Sequence, residues 1–177
     1  MDVHRFEKHW IAASLVMIVA WIATVSYGAV GPPGIQMIDD SGGTVDPADI
    51  ANNDFGAADA FREPGVYETG ENEYAVYVVA RQFAFDPGTS AAIRVPAGSR
   101  VTFYVTSADV IHGFEVVGTN VNAMVIPGQV TRMTVEFGGP RTYGIVCNEY
   151  CGAGHHTMAG TIEVVPRSQF SAQGGAA

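Results

Sequence analysis

The chain is poor in the residues that would bind it to a polyanion or staple it covalently. Of its 177 residues only Lys8 is a lysine, and nine basic side chains face eighteen acids for a formal charge of −9. The arginines are scattered and form no basic run, so the electrostatic footprint of a nucleic-acid-binding protein is missing. Two cysteines are present, too few for the disulfide framework that holds many small secreted domains together. Tryptophan is absent after Trp21, and both copies, Trp10 and Trp21, stand inside one apolar stretch.

That stretch runs from Trp10 to Val30 without a charge. At about 1.5 Å per residue it spans a hydrocarbon core of roughly 30 Å, so residues 10–30 read as a transmembrane helix behind a short tail, residues 1–9. A cleaved signal peptide is the alternative, with Ala29-Val30-Gly31 as its cleavage site, but its apolar region would be only about 7–15 residues long. Arg5 and Lys8 hold the N-terminus on the cytoplasmic side of the cell membrane, which puts everything after Gly31 on the outer face. Gly31-Pro32-Pro33-Gly34 ends the helix. From there to Glu73 no period of 2 or 3.6 is sustained, and ten of the acids, from Asp39 to Glu73, are faced by Arg62 alone. Residues 31–73 therefore read as an acidic linker.

From Tyr74 the pattern changes to short β-rich runs: Tyr74 to Val79, Ala92 to Val95, Val101 to Thr106, Phe114 to Val117, Val130 to Phe137, Arg141 to Val146 and Gly160 to Val165. In Val130 to Phe137, Met133, Val135 and Phe137 alternate with Arg132, Thr134 and Glu136, the period of a half-buried strand. Turns at Pro96-Ala97-Gly98, Pro127-Gly128 and Gly138-Gly139-Pro140 separate the runs. Residues 74–166 read as one mainly-β Greek-key sandwich or barrel, followed by a tail, residues 167–177. Its six acids and five arginines nearly cancel.

Chemistry is concentrated in Cys147-Asn148-Glu149-Tyr150-Cys151-Gly152-Ala153-Gly154-His155-His156-Thr157-Met158. Two thiols, an imidazole and a thioether form the soft donor set that selects copper over magnesium, calcium or manganese. A zinc site would not ask for the methionine. One more imidazole must come from upstream, and His112 is the candidate, since His4 and His9 precede the membrane segment. If both thiolates bridge two copper ions, the count closes: His112 and Met158 complete one ion, and His155 with the backbone carbonyl of Glu149 completes the other. A disulfide between the two cysteines is the bland alternative, but it explains neither His155 nor Met158. His156 reads as an exposed neighbour, and Met124 and Met133 as core filler.

Cys-x-Glu-x-Cys-Gly-x-x-His-x-x-Met, preceded by Asp109-Val110-Ile111-His112-Gly113-Phe114, resembles the CuA centre of subunit II of haem-copper terminal oxidases. With one membrane helix, and Phe83-Ala84-Phe85 where other members are Trp-rich, the chain is most similar to the B-family type of cytochrome c oxidase subunit II. The resemblance implies a cupredoxin fold, a binuclear copper centre held by His112, Cys147, Glu149, Cys151, His155 and Met158, and haem in the partner subunit I only. It implies transfer of single electrons from a cytochrome c or small blue-copper donor to subunit I, where oxygen is reduced to water. Phe83 and Phe85 are the candidates for the donor-docking face. Met124 stands where many members place a carboxylate for an interfacial magnesium, which puts that site in doubt. The alternatives are a CuA subunit of a nitric oxide reductase and a membrane-tethered mononuclear cupredoxin.

Overall fold

The computed structural model describes residues 4–30, 42–52, 60–172 and 174–175. The helix stop at Gly31-Pro32-Pro33-Gly34 and the acids Asp39, Asp40, Asp54 and Asp59 lie outside these. The chain divides into two units, Met1–Ile35 and Gln36–Ala177.

In the first unit, α1 (Arg5–Val30) is a single helix whose window Arg5–Tyr27 is long and apolar enough to cross a membrane. Its start is capped: the His4 N–H donates to Glu7 Oε2 at 2.8 Å, which also places a carboxylate at the positive end of the helix. Thr24, a hydroxyl inside the apolar run, donates to the Ala20 carbonyl at 2.9 Å and so leaves no bare donor. Trp10 and Trp21 are exposed.

The second unit is a sandwich of two sheets. Its strands are β1 (Gly65–Gly70), β2 (Glu73–Arg81), β3 (Ala84–Asp86), β4 (Ile93–Pro96), β5 (Arg100–Ser107), β6 (His112–Val116), β7 (Asn122–Val125), β8 (Thr131–Glu136), β9 (Arg141–Val146), β10 (Ala159–Val165) and β11 (Gly174–Gly175). One sheet runs β11-β1-β2-β5-β8, with β3 also paired to β2; the other runs β4-β10-β9-β6-β7. Val76, Val78, Phe103, Val105, Phe114, Ile145 and Ile162 fill the space between them. In β8, Met133 and Val135 are buried while Arg132 and Thr134 are half-buried and Glu136 is exposed, the alternation expected of a strand with one face on the core. Met124, expected in the core, is instead 45% exposed on β7.

Strand β2 behaves differently, because it is buried along nearly its whole length. Val76, Val78 and Ala80 face the main core, while Val79 belongs to a second cluster with Ile50, Phe61, Ala108 and Val130, flanked by Tyr77 and Tyr104. That second cluster is covered by residues read from sequence as linker. Thr44 pairs with Gln129, the Val130 N–H donates to the Gly43 carbonyl at 3.0 Å, and α2 (Pro47–Asn52) lays Ile50 into the cluster. Asp46 caps α2 by accepting from the Ala48 N–H at 2.8 Å. Residues 65–70 then form β1, antiparallel to β2. The expected linker of residues 31–73 is thus corrected over its described part: from 42 to 52 and from 60 onward it is folded onto the sheet. The signal for it was in β2 itself, where Tyr74-Ala75-Val76-Tyr77-Val78-Val79-Ala80 is a continuous apolar run rather than an alternating one, the mark of a strand covered on both faces.

Candidate metal centre

The centre grows out of the junction of three strands. β9 and β10 pair in register up to Val146 opposite Ala159, and the Cys147 N–H donates to the Met158 carbonyl at 3.2 Å, which closes the base of the loop 147–158. β6 lies on the other side of β9, with Glu115 opposite Val146. His112, the first residue of β6, is thereby carried to the loop although 35 residues separate it from Cys147.

Within this pole the donors converge. The two sulfurs lie 3.8 Å apart, far beyond a disulfide bond of about 2.05 Å, so they are separate thiols. His112 Nδ1 is 3.9 Å from Cys147 Sγ, and the Glu149 carbonyl oxygen is 3.2 Å from that sulfur. On the other side, Cys151 Sγ has His155 Nδ1 at 3.6 Å and Met158 Sδ at 3.7 Å. His112, Cys147, Cys151 and Met158 are buried, His155 is half-buried and His156 is exposed. The metal-ligating atoms of His112, Cys147 and Cys151 all fall within 4.8 Å of one another.

The surroundings fix each donor's state. Asp109 Oδ1 lies 2.8 Å from His112 Nε2, which directs the ring proton to that nitrogen and leaves the Nδ1 lone pair facing Cys147. Burial alone would raise the Asp109 carboxyl, but hydrogen bonds from His112 and from the Gln82 and Val110 N–H groups outweigh it and hold the group below its ordinary value. The Cys151 thiol is pushed up to about 11, first by burial and then by hydrogen bonding and charge from Cys147. In the metal-free chain it therefore keeps its proton at neutral pH; a cation must expel that proton, so uptake is favoured as pH rises. The Gly113 N–H donates to Cys147 Sγ at 3.5 Å. A side chain on Gly113 would overlap Asn148, so only glycine lets β6 approach the loop this closely.

Two thiols, two imidazole nitrogens, a thioether and a carbonyl, with no carboxylate oxygen among them, fit copper. Comparison with known proteins agrees. The family described as cytochrome c oxidase subunit II, periplasmic domain, matches residues 79–165. A cytochrome c oxidase subunit 2 of Thermus thermophilus is 41% identical over 165 residues, covering 90% of this chain and 91% of that one. The chain belongs to the cytochrome c oxidase subunit II family.

A second Thermus thermophilus subunit 2 is 50% identical over 99 residues, 56% of this chain and 71% of the relative. A subunit from the cryo-EM structure of a haem-copper terminal oxidase dimer superposes with a TM-score of 0.67 at 34% identity, covering 91% of this chain and all of that one. The periplasmic domain of subunit II of cytochrome oxidase from Bradyrhizobium japonicum, at 22% identity and a TM-score of 0.50 over 54% of this chain and 86% of that one, shares the fold. This is subunit II of a haem-copper oxidase, with a CuA-type domain on one N-terminal apolar helix, and part of an oxidoreductase complex. The expected cupredoxin sandwich is the one found.

Subunit II membership implies copper, and the loop and His112 group donors that could hold it. Sequence reading missed the residues that hold those donors in place. Asp109 and Gly113 stand within the quoted motif; Asp109 holds His112 three residues on, while the role of Gly113 appears only when β6 meets β9. We expect Asp109→Ala to weaken copper binding roughly 10- to 100-fold by freeing the His112 ring, measured by competition with a chelator; an unchanged affinity would show that the ring is held by packing alone.

The docking pair also needs correction. Phe85 is 1% exposed and lies edge-on to Phe114 in the core, so it offers no surface to a partner. Phe85 is the middle residue of β3 and takes the inner side of the sheet, whereas Phe83 precedes that strand and is not bound by its alternation. Phe83 is half-buried, and its ring lies against the ligand loop so closely that a Cβ on Gly154 would come within 2.6 Å of it.

Proposed function

We propose that this subunit holds two copper ions between the Cys147 and Cys151 thiolates, accepts single electrons from a cytochrome c or small blue-copper donor, and passes them to haem in subunit I for reduction of oxygen to water. The observation that carries this reading is the thiol pair 3.8 Å apart with a matched set of donors on each side. In the proposed assignment one ion takes His112 and Met158, the other His155 and the Glu149 carbonyl. Each ion then has one donor beside Cys147 and one beside Cys151.

The copper pair, when bound, supplies a site that gains and loses one electron with little change in its bonds. The chain's own residues keep it so. The closed base at Cys147 and Met158 fixes the ends of the loop, and Asp109 fixes the His112 ring. Burial of both sulfurs excludes water, and the Gly113 N–H directed at Cys147 stabilises negative charge on that sulfur. Phe83 remains the candidate contact for the donor, against the face of the loop. Arg5 and Lys8 support a cytoplasmic N-terminus with the copper unit on the outer face of the cell membrane.

The test is copper stoichiometry and the electron paramagnetic resonance spectrum of the full chain in detergent. We expect two coppers per chain sharing one unpaired electron, seen as a seven-line hyperfine pattern. One copper with a four-line pattern would reduce the centre to a mononuclear cupredoxin site.

A further inference from the structure

Gln82 directly follows β2 and makes two hydrogen bonds that diverge. Its backbone N–H donates to Asp109 Oδ2 at 2.8 Å, and the other oxygen of that carboxylate holds His112. Its side-chain Nε2 donates to the Cys151 carbonyl. One residue therefore joins the β6 side of the centre, which brings an imidazole, to the loop side, which brings the second thiol. Cys151 is the hub of that loop side, with His155 and Met158 both against its sulfur.

Neighbouring contacts give the tie its leverage. Arg81, the last residue of β2, donates from Nη2 to the Ile50 carbonyl at 3.1 Å, so the strand end carrying Gln82 is itself anchored to α2. Phe83 then lies on the loop at Gly152 and Gly154. Further along, the Thr89 hydroxyl accepts from the Phe85 N–H at 2.9 Å and donates to the Ala159 carbonyl at 2.7 Å, beside Met158. The segment 82–89 thus holds the loop at its middle and just beyond Met158, and the Gln82 amide is the side chain through which it holds a thiol-bearing residue.

We propose that Gln82 is a positioning residue of the metal centre, setting the placement of Cys151 relative to His112 through its bonds to the Cys151 carbonyl and to Asp109. The inference rests on the copper reading above only for its loaded-state readout. The side-chain amide contributes direction: it fixes the peptide plane of Cys151, and with it the line along which the thiol leaves the backbone. The backbone bond to Asp109 survives any substitution other than proline, so side-chain variants isolate the Cys151 half of the tie.

The experiment compares the full chain in detergent with Gln82→Met, which keeps length and removes the donor, and with Gln82→Glu, whose carboxylate cannot donate and repels the carbonyl. Ser99→Ala is the control, since it removes a buried hydroxyl bond to the Pro96 carbonyl at the other end of β5. In the metal-free chain, amide exchange across residues 148–157 is expected to quicken roughly two- to tenfold in both Gln82 variants, the worth of one hydrogen bond, and not in Ser99→Ala. In the copper-loaded chain both Gln82 variants should alter the hyperfine pattern and displace the reduction potential, while Ser99→Ala lowers Tm alone. Gln82 variants that lose Tm like Ser99→Ala, with parental exchange, hyperfine pattern and potential, would overturn the proposal. A parent chain without the two-copper signal would overturn the copper reading instead, and the metal-free exchange comparison would still decide whether Gln82 holds the loop.

Discussion

If the proposed two-copper centre forms, replacing Cys147 or Cys151 with serine is expected to abolish its seven-line signal and to leave one copper per chain at most. Serine is nearly the same size, so the change falls on chemistry and not on packing. A hydroxyl does not ionise near neutral pH and is a poor match for a soft metal, and with one thiolate left the proposed pair of bridges loses one of its two members. Both sulfurs are buried and within 3.9 Å of at least two other donors, so the loss cannot be made good from solvent. The metal-free Tm of each variant should stay close to the parent's, which separates loss of the centre from loss of the fold. His156→Ala, at an exposed position beside His155, should leave copper content and spectrum nearly intact. Two coppers and an unchanged spectrum in either serine variant would sink the bridging assignment.

The second large effect concerns where a soluble fragment begins. A fragment starting at Glu73 looks sufficient from the strand pattern, but it lacks β1, α2 and the residues that cover the outer face of β2. Ile50, Phe61 and Val66 are each 5% exposed or less, and burying such side chains stabilises by about 1.5–3 kcal/mol apiece, from which the entropy of ordering the segment must be subtracted. Without Ile50 and Phe61, Val79, Ala108 and Val130 face water, and without Val66 the main core loses a buried side chain. We expect the fragment 73–177 to melt roughly 10 °C or more below the fragment 42–177, and to bind copper less tightly, because the end of β2 that carries Gln82 loses its anchor on Ile50. Equal melting temperatures would mean that the covering segment is dispensable.

The loop 147–158 was legible in the sequence because its donors are local and of unusual type, the strand β8 because one face of it is polar, and β9 and β10 as short β-rich runs leading into Cys147 and out of Met158. β1 and α2 were not legible: their anchors Ile50, Phe61 and Val66 are irregularly spaced and set among acids, glycines and prolines that mark turns. Phe83 and Phe85 were equivalent as letters two apart, and the fold parted them, one into the core beside Phe114 and one onto the ligand loop. Gly113 and Gln82 act through partners distant in sequence, so no local pattern could assign their work, whereas Asp109 holds a ring only three residues on.

The position of His112 on a strand of its own sets an order of events. A nascent or unfolded chain can offer a metal only what lies within the loop: two thiols, an imidazole and a thioether. The second imidazole arrives when β6 docks beside β9, carrying the Gly113 N–H to Cys147 in the same step. The complete donor set is therefore a product of finished sheet pairing, and copper captured earlier would be held by an incomplete set.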